Sequence, residues 1–260
     1  MTRLSAIPGL PPLLATAGLL AAWEIAARTL DISGLPPAHA ALRELPAILT
    51  DKESLLNILD SIRRMAIGFA LALCFAVPVG LMMGRSRFVA AFFNPLLMII
   101  YPVPKAALMP IIMLWLGVGD ASKTLVIFLG VSLPVIYHSY QGARAVEEKM
   151  LWSAAAMGMG RAARLMRVVF PAASPEIVVG IRTGLVLALI TMVTSEMIAR
   201  KQGVGDLLFN ALAMAQYETV YATIIIIGAL GFIIDVGFER LRAHLVAWAE
   251  PAHEIAVGST

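Results

Sequence analysis

The hydrophobic positions of this chain come in long unbroken runs separated by short polar segments. Six runs approach or exceed the roughly 20 residues a helix needs to cross a hydrocarbon core. They lie at about 10–30, 62–84, 91–116, 122–141, 176–199 and 218–241. Apolar residues within them are continuous rather than alternating, so the pattern predicts spanning helices and not the strands of a transmembrane barrel. The first run is the least clean, because it carries Glu24 and Arg28 one helical turn apart, where they can pair. The third contains Pro95, Pro102, Pro104 and Pro110. Each proline removes a backbone donor, so this span is expected to be broken. A broken helix persists at membrane depth only where protein or a watery cavity satisfies the freed groups.

Between the runs, residues 31–60 are polar and proline-bearing and read as an extramembrane segment with short surface helices. Residues 142–174 form the other long loop. The expected organisation is a first helix and extracytoplasmic segment over 1–60, a five-helix core over 61–245 and a tail over 246–260. No soluble piece is long enough to hold an enzyme domain, and no internal repeat is evident.

Composition agrees with an all-α integral membrane protein. The 260 residues are 60% hydrophobic and only 14% charged, and the mean hydropathy is +0.85. A net charge of +3 reads as an excess of basic residues in cytoplasmic loops rather than as nucleic-acid binding. With the 142–174 loop in the cytoplasm, Arg3, Arg85, Arg87, Arg144, Lys149, Arg161, Arg164, Arg167, Arg240 and Arg242 fall on that side. Arg43, Lys52, Arg200 and Lys201 fall on the other, with Arg63, Arg64 and Lys123 near span ends. This bias places both termini inside. A cleaved signal peptide is the less favoured reading of the N-terminus, since its apolar run extends to about residue 30 without a small-x-small site. Cys74 has no partner in the sequence, and His39, His138, His244 and His253 are scattered without metal-ligand spacing.

Ionisable residues inside spans are the default functional candidates, because burying each costs roughly 2.5–3.5 kcal/mol on insertion scales. They are Lys105, Arg182, Glu196 and Asp235. Arg182 and Asp235 lie near span ends, where they can snorkel or pair, and Glu196, near the outer end of its span, can either pair structurally or serve a pathway. Lys105 follows two prolines of the broken span and could attract a passing anion, or instead reach an interface or a carboxylate. Gly80-x-x-x-Gly84 and Gly180-x-x-x-Gly184 allow close helix approach. Residues 117–124, GVGDASKT, nearly match a phosphate-binding loop, but Ser122 stands where the second glycine must be. They read as a short loop between spans, and the chain is not expected to bind ATP or any cofactor itself.

The 142–174 loop holds the least explained stretch, SAAAMGMGRAARLMRVVFPAASP from Ser153 to Pro175. Residues Leu151–Met159 form a good helix former, interrupted at Gly158 and Gly160. Residues Arg161–Phe170 resume as a basic amphipathic helix, with Leu165, Val168 and Val169 on one face and Arg161, Arg164 and Arg167 in a stripe. Pro171 and Pro175 are expected to stop it and start the next span. Physics alone leaves two readings open: a helix pinned to anionic headgroups, or a docking helix for a cytoplasmic partner.

The run from Trp152 to Gly158, then Arg161, then Val168-Val-Phe-Pro171, resembles the "EAA" signature of binding-protein-dependent ABC importer permeases. Gly158 and Pro171 are thirteen residues apart, as in that signature. Ser153 and Ala154 take its two alanine positions, while Trp152 stands where the family has glutamate. Residues 94–124, with LWLGVGDASKT, and 194–208, TSEMIARKQGVGDLL, are similar to the nitrate/sulfonate/taurine-type branch, as is FERLRAH at 238–244. The resemblance implies a type I ABC importer permease with six spans and a cytoplasmic coupling helix. Its coupling residues would be Trp152, Ser153, Ala154, Gly158, Arg161, Arg164 and Pro171. It also implies two separate ATPase subunits that bind the ATP, a second permease subunit in a homodimer, and an extracytoplasmic binding protein. Tyr101, Pro104, Lys105 and Glu196 are candidate walls of the translocation pathway. The rivals are an ion-gradient-driven transporter or channel using Glu24, Glu196 or Asp235, and, weakest, a membrane enzyme.

Overall fold

The computed structural model describes residues 10–30, 32–246 and 248, and eleven α-helices lie among them. In chain order they are α1 Leu10–Leu30, α2 Ala38–Thr50, α3 Lys52–Arg85, α4 Arg87–Ile100, α5 Met109–Leu116, α6 Asp120–Ala145, α7 Glu148–Ala156, α8 Arg161–Arg164, α9 Phe170–Ala199, α10 Val204–Ala213 and α11 Tyr217–Leu245. Five helical stretches are long and apolar enough to cross a membrane, or six if α4 and the bent Lys105–Leu116 segment form one span. The six-run reading is therefore recovered. Its boundary at residue 60 falls inside α3, because Asp51 starts that helix early. The Asp51 carboxylate accepts the Ser54 backbone N–H at 2.8 Å, a bond that holds its pKa below the usual carboxylate range.

Helix α6 is the centre of the bundle, clamped between α3 and α9. The clamp is tight because glycines stand where the helices cross. A β-carbon on Gly80 would overlap Ser139, and one on Gly84 would overlap Ala143. On the other flank, a β-carbon on Gly180 would lie 2.6 Å from His138 Cβ. Both small-residue pairs thus serve packing within this chain. The core between them joins Met65, Ala72, Ala76 and Val79 of α3 to Ile127, Val131 and Val135 of α6 and Ala188 and Met192 of α9.

The third run is broken as expected, with the two parts bent by 86°. Only Pro102 and Pro104 lie at the break; Pro95 sits within α4 and Pro110 in the first turn of α5, where a missing N–H costs nothing. After α5, Gly117 adopts φ +75° and Gly119 caps α6 through its exchange with Ser122 Oγ. Of the phosphate-loop look-alike, only residues 117–119 form an interhelical loop; residues 120–124 are the first turn of α6. Helix α1 is peripheral. Its Trp23 indole donates to Pro36 O at 3.0 Å and stacks on Tyr221, while Glu24 accepts from Arg28 (2.7 Å) and from the His39 backbone (3.1 Å).

Candidate functional site

At one end of the bundle, α6 gives way through Val146 to the two-faced helix α7. Leu151 and Ala154 turn inward and join Leu81, Ala143, Val169, Ala173 and Ile177 in an apolar cluster. Trp152 points out and is 66% exposed; Met157 and, beyond α8, Met166 are exposed as well. Helix α7 ends in a Schellman turn: Met159 N–H donates to Ala154 O (3.0 Å) and Gly158 N–H to Ala155 O (2.9 Å). Gly158 sits at φ +82° with nothing within 4 Å of a β-carbon. Its glycine is needed for backbone conformation and not for space. Gly158→Ala is therefore expected to cost about 1 kcal/mol and loosen the turn, read as a lowered midpoint of thermal unfolding; an unchanged midpoint would contradict the assignment.

The prolines that follow do not end the helix, contrary to the sequence reading. Residues Leu165–Val169 form a π-turn in which Phe170 N–H reaches back five residues to Leu165 O. The wider turn accommodates Pro171, whose missing donor and ring disrupt an ordinary i to i−4 ladder. Arg161 to Ala199 thus runs as one stretch of 39 residues. The inward face is as read: Val169 is buried and Leu165 and Val168 pack against the same cluster.

At the opposite end, α9 stops at Arg200 in a left-handed conformation, and Gln202 and Gly203 also have positive φ. Such backbone persists only where its surroundings over-determine it, and here they do. Lys123, fully buried, donates to Lys201 O and to Gln202 O (2.7 Å). Asn57 Oδ1 accepts Gly203 N–H at 2.8 Å, and Ser61 Oγ accepts Val204 N–H at 2.9 Å. Beneath the turn, Arg64 and Glu196 form a buried pair, Nη2 to Oε1 2.7 Å, with 1% of each side chain exposed. Glu196 also takes Ser61 Oγ at 2.8 Å and Gly205 N–H at 3.1 Å, and Arg64 extends to Asp120 at 2.9 Å.

Of the two readings open to Glu196, a structural pairing and a pathway wall, the geometry fits the first: it is buried inside the chain and satisfied on both oxygens. Lys105 is also committed. Its ammonium donates to Ile100 O (2.6 Å), Tyr101 O (3.1 Å) and Val103 O (2.6 Å), which uses all three donors on the frayed end of α4. Tyr101 and Pro104 beside it are exposed. Arg182 and Asp235 pair at 3.0 Å between α9 and α11. Sequence reading missed a polar strip on α6: Tyr137, half exposed, accepts from Gln141 (3.1 Å), and His138 Nδ1 lies 2.7 Å from Glu176 of α9. The available signal was the i, i+4 spacing of Tyr137 and Gln141 within an apolar run.

The two-faced helix, its glycine turn and the thirteen-residue interval to Pro171 coincide with a sequence match. Residues 76–246 match the family described as "Binding-protein-dependent transport system inner membrane component". The chain belongs to this family. Among its relatives is the taurine transport system permease protein TauC of Escherichia coli, 31% identical over 88% of this chain and 86% of that one. The putative aliphatic sulfonates transport permease protein SsuC of Bacillus subtilis is 31% identical over 91% and 86%. The nitrate import permease protein NrtB of Synechocystis is 27% identical over 94% and 90%. The fold is that of a type I ABC importer permease, the branch is the nitrate/sulfonate/taurine one, and the protein is a multi-pass inner-membrane transport subunit. The rival ion-driven mechanism gains nothing from the geometry, since Glu24, Glu196 and Asp235 each have a cationic partner.

Proposed function

We propose that this permease moves a small anionic solute of the sulfonate, taurine or nitrate kind. In this reading it works as a homodimer with two ATPase subunits, which bind the ATP, and an extracytoplasmic binding protein that selects the solute. The permease chain itself needs no cofactor. Both termini lie on the coupling side. For the C-terminal end that topology is supported by Arg182–Asp235, which ties the second half of α11 to the first half of α9.

The observation that carries the reading is the construction of α7. Leu151 and Ala154 seat it, Ser153 and Trp152 face outward, and the Gly158 turn passes directly into the long helix through Arg161, Arg164 and Pro171. At 1.5 Å per residue, a 39-residue helix spans about 58 Å. A push on α7 by a closing ATPase dimer is thereby delivered to the far end, where Arg64, Glu196 and Lys123 bind the helix to α3, α6 and the 200–204 turn. Tyr101 and Pro104, with the Tyr137–Gln141 strip, line the pathway, and Lys105 holds the bend that presents them.

The test is co-purification: the tagged permease should retain an ATPase subunit and show ATP-dependent uptake after reconstitution. Uptake without any ATPase overturns the reading. For Lys105, removal of the ammonium strands three carbonyls, so Lys105→Ala should lower stability by about 1–3 kcal/mol and reduce uptake in parallel. Lost uptake with unchanged stability would instead make Lys105 a solute contact.

A further inference from the structure

Between the end of α3, the start of α4 and the segment Arg161–Val169 lies a cavity of about 620 Å³, within the range of roughly 300–1,000 Å³ typical of small-molecule sites. Its polar wall carries Arg85, Arg161 and Arg164. Arg85 is neutralised by Glu148 at 2.6 Å. Arg161 and Arg164 have no carboxylate partner among the described residues, and the buried Arg164 Nε has no hydrogen-bond partner at all. The cavity therefore holds two uncompensated positive charges and an orphaned donor. Ser86, which caps the first turn of α4 through Val89 N–H, adds the positive end of that helix dipole.

The opposite wall is apolar, with Met82 and Val89. It continues onto the outer face of α4, where Phe88 is 83% exposed and Phe92 follows one turn on. An occupant would thus need an anionic head and a long apolar tail. The cavity opens on the inner flank of α7, since Leu151 lines it and Trp152 does not. Its lining includes none of the outward-facing Trp152, Met157 and Met166. We propose that this is a binding site for the phosphodiester headgroup of an anionic phospholipid, which fastens the coupling segment to the membrane surface. It stands apart from the ATPase reading, because one can hold without the other.

The experiment is native mass spectrometry of the full permease, purified with its ATPase partner, against added phosphatidylglycerol or phosphatidylcholine. Phosphatidylglycerol should be retained preferentially. The double variant R161Q/R164Q should weaken that retention roughly tenfold or more, while R161K/R164K, which keeps both charges, should restore it. Equal retention of the two lipids, or undiminished retention in R161Q/R164Q, overturns the proposal. Displacement by inorganic phosphate with no lipid preference would assign the site to a free anion instead. Loss of lipid on ATPase binding would assign it to the partner's acidic side chains. ATPase retention, measured in the same spectra, reports separately on docking.

Discussion

Arg64→Ala is expected to destabilise the permease by about 3–5 kcal/mol, the largest effect of any single truncation considered. The reason is asymmetric. A buried ion pair adds little net stability, because desolvating two charges offsets most of their attraction, but removing one partner strands the other. Here the stranded group is Glu196, which 1% exposure keeps from water. Ser61 Oγ and Gly205 N–H remain to it, yet neither carries a charge. The damage also spreads: Arg64 supports Gln202 O at 3.4 Å and Asp120 at 2.9 Å. The left-handed turn over 200–203 and the start of α10 lose an anchor together.

The double variant separates this account from simple loss of volume. If the cost comes from an unpaired charge, Arg64→Ala with Glu196→Ala should be less destabilising than the sum of the single variants, with a coupling of about 1–3 kcal/mol. Additive losses in the unfolding midpoint would show that the pair is not the unit of stability. Uptake should fall with stability in each variant, since the node is where α9 meets α3 and α6.

Much of this fold is legible from residue patterns, because the bilayer imposes length and continuity on every span. The break at Pro102–Pro104 and the packing role of Gly80 and Gly84 follow from local chemistry that a sequence displays directly. The Arg64–Glu196 node does not. The two residues are 132 positions apart, and each by itself looks like a charge near a span end. Only the tertiary crossing of α3, α6 and α9 brings them together with Lys123. The prolines at 171 and 175 misled for a different reason. The π-turn at Leu165–Val169 accommodates Pro171, and Ser174 Oγ donates to Pro171 O, the carbonyl that Pro175 leaves without its helical donor. Backbone conformation of this kind has no one-residue signature. The same limit hid the Lys105 cap, whose three acceptors exist only once α4 has ended.

Trp152→Ala is expected to weaken ATPase binding by about 2 kcal/mol or more, roughly thirtyfold, while leaving folding unchanged. Trp152 is 66% exposed, so truncating it opens no cavity in the core. It stands on the outer face of α7, beside Ser153 and one turn from Ala156, in the position where related signatures carry glutamate. A large indole on a rigid helix is the kind of group that dominates an interface once a pocket closes around it. Helix α7 is rigid here because Leu151 and Ala154 seat it from beneath and the Gly158 turn fixes its end. Titrating purified ATPase onto the reconstituted permease reads the affinity, and the unfolding midpoint serves as the folding control. Trp152→Glu extends the test. If the partner's groove matches the indole, the carboxylate is desolvated without a counter-charge and binding falls further than with alanine. If glutamate binds as well as or better than wild type, the groove still carries a polar partner for it and the indole is not the anchor. Unchanged binding in both variants removes Trp152 from the docking face and shifts the contact to Met157 and Met166.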